Sequence, residues 1–326
     1  LVLGELAAEG VQSITSELLA AGRTLSGPLE EEVAVTFLGA DQNGPASEAI
    51  SLGADRVYLV QDPLLAEPQV DAQVAALEQV CRQTAPSVVL VGRSPAGRDI
   101  GPRLAFRLGV AMAQDCLDLG IDPDTKRVVA MRPVYGGNAM AKVTFGDADP
   151  QVIMVRGKVF EPLQPDPSRT GEVVPLKVDL DPSVVRSRLV ETVSRESSGV
   201  RLEDASVVVG GGRGLGGPEP FAMLEELAKL LGGAVGASRA VCDAGWIDHS
   251  YQVGLTGKTI TSDLYITVGI SGASQHMAGC SGVKHIVAIN RDADSNIFKT
   301  AGFGVVGDWK SVLPSFIETV RELVKS

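Results

Sequence analysis

Residues 235–290 read VGASRAVCDAGWIDHSYQVGLTGKTITSDLYITVGISGASQHMAGCSGVKHIVAIN. Two apolar runs, at 264–270 and 285–289, stand among glycines, serines and single polar groups: Ser238, Arg239, Gln252, Thr256, Ser271, Gln275, His276 and Asn290. Short apolar runs bounded by Gly and Ser are the pattern of strands buried on both faces of a parallel sheet. In an open α/β sheet, ligands bind in the loops at the carboxyl ends of such strands. The stretch therefore predicts a ligand-binding edge.

Working outward, residues 206–209 (SVVV) form another apolar run, followed by Gly210, Gly211, Gly212 and Arg213. The spacing of Phe221, Leu224, Leu227 and Leu231 then predicts a helix. A glycine-rich turn between strand and helix lets backbone N–H groups approach an anion closely, and Arg213 could grip a phosphate bidentately. This string is not a strict dinucleotide fingerprint, and a solvated Arg213 on a tight turn is an equal reading. Convergence of several such loops is what points to a site. If the runs at 207–209, 264–268 and 286–289 are neighbours in one parallel sheet, their loops share one edge.

Toward the N-terminus the chain alternates. Strands are predicted at 1–6, 33–38, 57–60 and 87–91, and helices at 12–25, 46–52 and 70–84. Ser13 is expected to cap the first helix and Gly53 to end the second. This rhythm means a parallel sheet with crossover helices. Arg93 and Ser94 follow the fourth strand, a position where nucleotides bind in many α/β domains, but no phosphate-loop pattern accompanies them. The alternative is that Gly92 and Gly97 shape a turn, Arg98 and Arg103 lie on a helix face, and Asp99 caps that helix. Residues 113–155 read as antiparallel strands appended to the first domain, with a strand at 151–155. The boundary falls near 194–199, giving domains at 1–196 and 200–326.

Composition sets outer bounds. The chain has 326 residues, 44% of them hydrophobic and 21% charged, with a net charge of -11. This suits a two-domain globular protein and argues against nucleic-acid binding. Four scattered cysteines, Cys81, Cys116, Cys242 and Cys280, form no CxxC pair, so neither a disulfide framework nor a metal site is expected. Cys242 and Cys280 read as small buried residues. No apolar run reaches the length of a membrane span. The chain opens on Leu1, which leaves room for residues ahead of it, a targeting segment among them.

GGRGL at 211–215, VGASRA at 235–240, QVGLTGK at 252–258, DLYITVGISGASQHMAG at 263–279 and IVAIN at 286–290 together closely resemble the alpha subunit of electron-transfer flavoprotein. RPVYGGNA at 132–139 and VRGK at 155–158 resemble that family's first domain. The resemblance implies an N-terminal α/β domain with a parallel sheet and appended antiparallel strands. A C-terminal doubly wound FAD-binding α/β domain follows. It implies FAD as cofactor and a heterodimer with a beta subunit that carries AMP or a second FAD. Electrons would pass from flavin dehydrogenases or NADH to a downstream acceptor. The implied compartment is the cytoplasm of a bacterium or archaeon, or the mitochondrial matrix of a eukaryote.

Carried over position by position, the implied flavin contacts are Arg213, Ser238, Arg239, Thr256, Ser271, Gln275, His276 and Asn290. The loop positions Gln252, Val253, Gly254, Leu255, Gly272, Ala273 and Ser274 join them, and Asp308 lies toward the adenosine end. Leu255 departs from the family's QVGQTG, so a backbone contact there survives and a side-chain contact does not. A donor near flavin N1 and O2 favours the charge that reduction develops. The resemblance gives that place to His276, with Arg239 adding positive field and Thr256 suited to N5. No acid–base pair or activated nucleophile accompanies them.

Two other readings stay open on the sequence. One is an electron-bifurcating flavoprotein coupling NADH oxidation to ferredoxin or flavodoxin and to quinone or acyl-CoA dehydrogenase reduction. The other is an NAD- or FAD-dependent oxidoreductase with its own small substrate. On any of them the first domain looks more like a partner-binding platform than a second active site.

Overall fold

The structure is a computed structural model that describes residues 1–7, 10–39, 45–137, 139–187, 190–191 and 200–325. These pack into two units, residues 1–134 with 138–193, and residues 135–137 with 194–326. The boundary expected at 194–199 lies outside the described residues.

The first unit runs β1 (Val2–Leu3), α1 (Ser13–Leu29), β2 (Ala34–Gly39), α2 (Pro45–Ser51), β3 (Arg56–Gln61), α3 (Val70–Thr84), β4 (Val88–Gly92) and α4 (Pro95–Leu108). It continues with β5 (Met112–Cys116), β6 (Asp118–Ile121), β7 (Val128–Val134), β8 (Ala139–Thr144), β9 (Gln151–Val155) and β10 (Glu172–Leu176). Seven strands form one sheet in the order β10-β3-β2-β1-β4-β9-β5, with every pairing parallel. The antiparallel β6-β7-β8 sheet is appended to it. β4 and β9 are buried throughout, as strands covered by helices on both faces must be.

Several local expectations are corrected. Gln12, not Ser13, is the N-cap of α1, and it makes no capping bond. The helix runs on through Gly27 and Pro28 to Leu29 instead of stopping at residue 25. Ser94, not Asp99, caps α4, its Oγ accepting from Gly97 N at 2.9 Å. Asp99 lies inside the helix.

The nucleotide reading of Arg93 and Ser94 finds little room. Ser94 Oγ also donates to Glu5 at 2.7 Å, and Arg93 pairs with Asp115 at 3.2 Å. Asp115 is gripped from the other side by buried Arg156 through two bonds of 2.8 and 2.6 Å. A carboxylate and internal ion pairs fill the place a phosphate would take.

The second unit runs β11 (Val207–Gly211), α5 (Phe221–Leu230), β12 (Ala234–Ala237), α6 (Arg239–Asp243), β13 (Leu264–Val268), α7 (Ser274–Ala278), β14 (His285–Asn290), β15 (Phe303–Val306) and α8 (Trp309–Lys325). Its sheet is wholly parallel, in the order β12-β11-β13-β14-β15. The three runs expected to be neighbours are β11, β13 and β14, side by side. From β11 the chain steps outward to β12 and then crosses back to β13. The order thus reverses between β11 and β13, and the crevice at that reversal is where such sheets take ligands.

Helix α5 buries Phe221, Leu224, Leu227 and Ala228 in a core completed by Val209, Ile266, Val268, Leu313 and Ile317. Each fully buried Leu or Ile there contributes about 1.5–3 kcal/mol. That packing makes the sheet a rigid floor for the loops above it. Among the described residues, no helix is long and apolar enough to cross a membrane.

Candidate functional site

The loops that leave β11, β12, β13 and β14 rise from the same end of the sheet, because parallel strands share direction. Two bonds tie the first to the third at the reversal: Gly212 N to Val268 O at 2.9 Å and Gly214 N to Gly269 O at 3.0 Å. A Cβ on Gly212 would stand 2.3 Å from the Gly269 carbonyl oxygen, so only glycine permits this approach. Over the strand ends lies a cavity of about 630 Å³, within the range of small-molecule and cofactor sites.

The structure brings most of the expected residues to this cavity. Arg213 comes from the first loop, and Ser238 and Arg239 from the second. Gln252, Val253, Gly254, Leu255 and Thr256 form one wall. Ser271, Ala273, Gln275, His276 and Asn290 join the lining from the ends of β13 and β14. Asp308 lines a smaller cavity of about 140 Å³ with Trp309 and Lys310, and Gly214, Gly269 and Asn290 line both.

Gly272 and Ser274 do not line either cavity. Gly272, at φ +75°, is pressed instead against Ile297, whose backbone N would be 2.4 Å from an added Cβ. Asp243, Asp292 and Ser295 line the main cavity and were not singled out by sequence. They reach it through a helical turn and a loop closure that no linear pattern announces.

Gln252 is 5% exposed, and its amide is held at both ends. Nε2 donates to Thr256 Oγ1 at 3.0 Å, and Oε1 lies 3.1 Å from His249 Nδ1. Gly254, at φ +150°, carries the wall past Gln275, where a Cβ would meet the Gln275 carbonyl at 3.1 Å. The Leu255 backbone N–H donates to that same carbonyl at 2.7 Å, and its side chain is exposed.

Asn290 is committed within the protein. Its Nδ2 donates to Ile270 O at 2.9 Å and Ser295 Oγ at 3.2 Å, while Oδ1 accepts from Asp292 N at 3.0 Å. It shapes the loop and has little left for a ligand. Arg213 is exposed, and its guanidinium makes no hydrogen bond or ion pair among the described residues. Arg239 is paired with Asp243 at 3.2 Å, an exposed contact of small strength.

His276 is 7% exposed. Burial pushes its pKa down to about 4, with the Val253 carbonyl offsetting a part, so the ring is neutral. Its Nε2 lies 3.0 Å from the hydroxyl of fully buried Tyr265. That hydroxyl has no other partner among the described residues, so it donates, Nε2 accepts, and the ring proton sits on Nδ1. Nδ1 is enclosed and faces the Val253 carbonyl, the group that offsets part of the shift, without a well-formed hydrogen bond to it.

The thiols do not contribute chemistry. Cys242 is pushed up to about 11 by burial, and Cys280 higher still for the same reason.

Comparison with known proteins agrees with this layout. The profile of the electron transfer flavoprotein domain matches residues 1–181, and that of the electron transfer flavoprotein FAD-binding domain matches residues 201–281. The electron transfer flavoprotein subunit alpha of Megasphaera elsdenii is 42% identical over 96% of this chain and 93% of its own length. The subunit alpha of Bacillus subtilis is 39% identical over 99% and 97%. Protein FixB of Azotobacter vinelandii is 34% identical over 95% and 88%.

Proposed function

The chain belongs to the electron transfer flavoprotein alpha-subunit family, and from that premise we propose that the cavity over the strand ends holds the FAD. In this reading the protein passes electrons through that flavin and turns over no substrate of its own. The observation that supports the placement best is the meeting of four loops on one cavity at the strand-order reversal, with a second cavity running on toward Asp308 and Trp309.

Bound there, FAD supplies one- and two-electron chemistry. The protein's share is binding, orientation and field. Arg213 is free to meet a phosphate, and glycine at 212 lets backbone come close to it. The Thr256 hydroxyl accepts from Gln252, so its own proton is available to the cavity. Arg239 brings positive potential to a ring that gains electrons.

A neutral His276 enclosed against Tyr265 and an Asp243 already paired with Arg239 make a poor acid–base couple. That favours a carrier over a substrate-converting oxidoreductase. The family implies a beta-subunit partner. We propose that this subunit carries AMP or a second FAD, that flavin-dependent dehydrogenases feed the flavin, and, given bacterial relatives, that the compartment is the cytoplasm.

The test is a redox titration of the bound flavin. Arg239→Ala removes a cation and is expected to lower the midpoint potential, on the order of tens of millivolts. Asp243→Asn, which frees Arg239, is expected to raise it. Potentials unmoved by both changes would take Arg239 away from the flavin.

A further inference from the structure

His249 does not line the cavity, yet it holds the residue that does. A chain of contacts runs Arg239–Asp243–His249–Gln252–Thr256 along the cavity wall. Arg239 Nε is 3.2 Å from Asp243 Oδ2, and Asp243 Oδ1 is 3.8 Å from His249 Nε2. His249 Nδ1 is 3.1 Å from Gln252 Oε1, and Gln252 Nε2 is 3.0 Å from Thr256 Oγ1. We propose that His249 is a positioning residue that orients Gln252 so that the Thr256 hydroxyl donates into the cavity, and that this makes FAD retention pH-dependent. The proposal rests on the cavity being the FAD site.

Gln252 Oε1 can only accept, so the bond requires His249 to donate from Nδ1. That donation fixes the amide orientation. With Oε1 held by His249, Nε2 faces Thr256, and the Thr256 proton is left for the cavity. With the amide turned over, Oε1 would take the Thr256 proton and the cavity would lose its donor. His249 is thus the group that tells the two orientations apart.

The same ring faces a carboxylate. Its Nε2 points toward Asp243, which also calls for an N–H. A neutral imidazole has one proton and cannot serve both neighbours; the imidazolium has two and can. Protonation therefore strengthens the Gln252 bond and gives Asp243 a second cationic partner, which loosens its hold on Arg239. Both changes favour the ligand.

The charged and titratable neighbours agree with this arrangement. Arg239 and Asp243 come from α6. On His249's own turn, Asp248 is occupied with Ser250 N at 2.9 Å, and Tyr251 is partly exposed. The Cys242 thiol leans on the Asp248 carbonyl at 3.7 Å. Strand β12, AVGA, carries no charge.

The experiment follows release of FAD from the full chain copurified with its beta subunit, as the rise in free-flavin fluorescence at pH 5.5 and pH 8. Oxidised FAD has no group titrating between these values, so a pH effect reports the protein. Release from the parent protein is expected to be slower at pH 5.5, on the order of threefold, since one bond becomes charge-assisted in an exposed setting. His249→Asn keeps a side-chain N–H for Gln252 and cannot titrate, so release should be slow at both values. His249→Ala should release fast at both.

A parent profile that is flat, or an Ala variant that keeps the pH effect, overturns the role of His249. Thr256→Val separates this from the site itself. If it still speeds release while the parent is flat, His249 alone is wrong. If it changes nothing at either pH, FAD is not in this cavity and both readings fall.

Discussion

His276 is expected to make the second unit lose stability as acid is added. Its ordinary pKa of 6.5 falls to about 4 in the fold, because burial penalises the charged ring. Between those values the unfolded chain binds a proton and the folded chain does not, so stability is present above 6.5 and is lost as pH falls toward 4. At about 1.4 kcal/mol for each factor of ten, the whole span amounts to about 3 kcal/mol. About 2 kcal/mol of it is already lost at pH 4.5. The protein has two tryptophans, Trp246 and Trp309, and both pack against the core of the second unit. Urea unfolding of the full chain followed by tryptophan fluorescence therefore reads this unit. A change of 2 kcal/mol shifts the urea midpoint by about 1 M. Cys242, Tyr265 and Cys280, also displaced by burial in this unit, are pushed upward and stay out of this pH window. In His276→Gln the difference between pH 7 and pH 4.5 should shrink by that amount. A variant that loses as much stability as its parent between the two pH values would refute the buried neutral histidine.

Tyr265→Phe removes the hydroxyl that fixes the His276 tautomer. In 15N spectra of histidine-labelled protein, the parent should show a protonated Nδ1 and an unprotonated Nε2 for His276, and the variant should show the two forms mixed; an unchanged spectrum would mean that Tyr265 does not set it. Gly212→Ala drives a Cβ to 2.3 Å from the Gly269 oxygen and 2.7 Å from the Ile270 Cα, backbone that cannot turn aside. It should cost at least about 1–3 kcal/mol and loosen FAD, whereas Gly120→Ala, with nothing within 4 Å, should be near neutral in the same melt. Equal melting temperatures for the two would show that the strand ends are not so tightly joined.

The sequence was most legible where burial dictated residue type on a short range. β11, β13 and β14 are apolar runs cut by glycine, and a parallel sheet leaves such strands no other composition. Convergence of their loops followed from strand direction alone. β10 was not legible: Glu172 and Pro175 sit in it, which an edge strand tolerates and a central strand does not. β15 was missed as well, since all four of its residues are exposed at the other sheet's edge. Helices α6 and α7 are five residues each, too short for a periodic pattern to develop.

At the site, the expected side chains were found from small-residue loops and from the family resemblance, while their hydrogen bonds were not. Asn290 looked like a ligand contact and is spent on Ile270, Ser295 and Asp292. Asp243 and His249 gain their roles from a turn that brings residues 239 to 256 back on themselves. Partners of that kind are decided by tertiary closure.

In the reading proposed above, FAD occupies the cavity over the ends of β11, β13 and β14. Ala273 lines that cavity and is exposed, so a large residue there blocks the space without disturbing the core. The decisive measurement is the number of FAD molecules bound per complex in Ala273→Trp, read from the visible spectrum of the purified protein with its beta subunit. The count should fall by one relative to the parent, with the melting of the FAD-free chain unchanged. A full complement of FAD in the variant would contradict the placement.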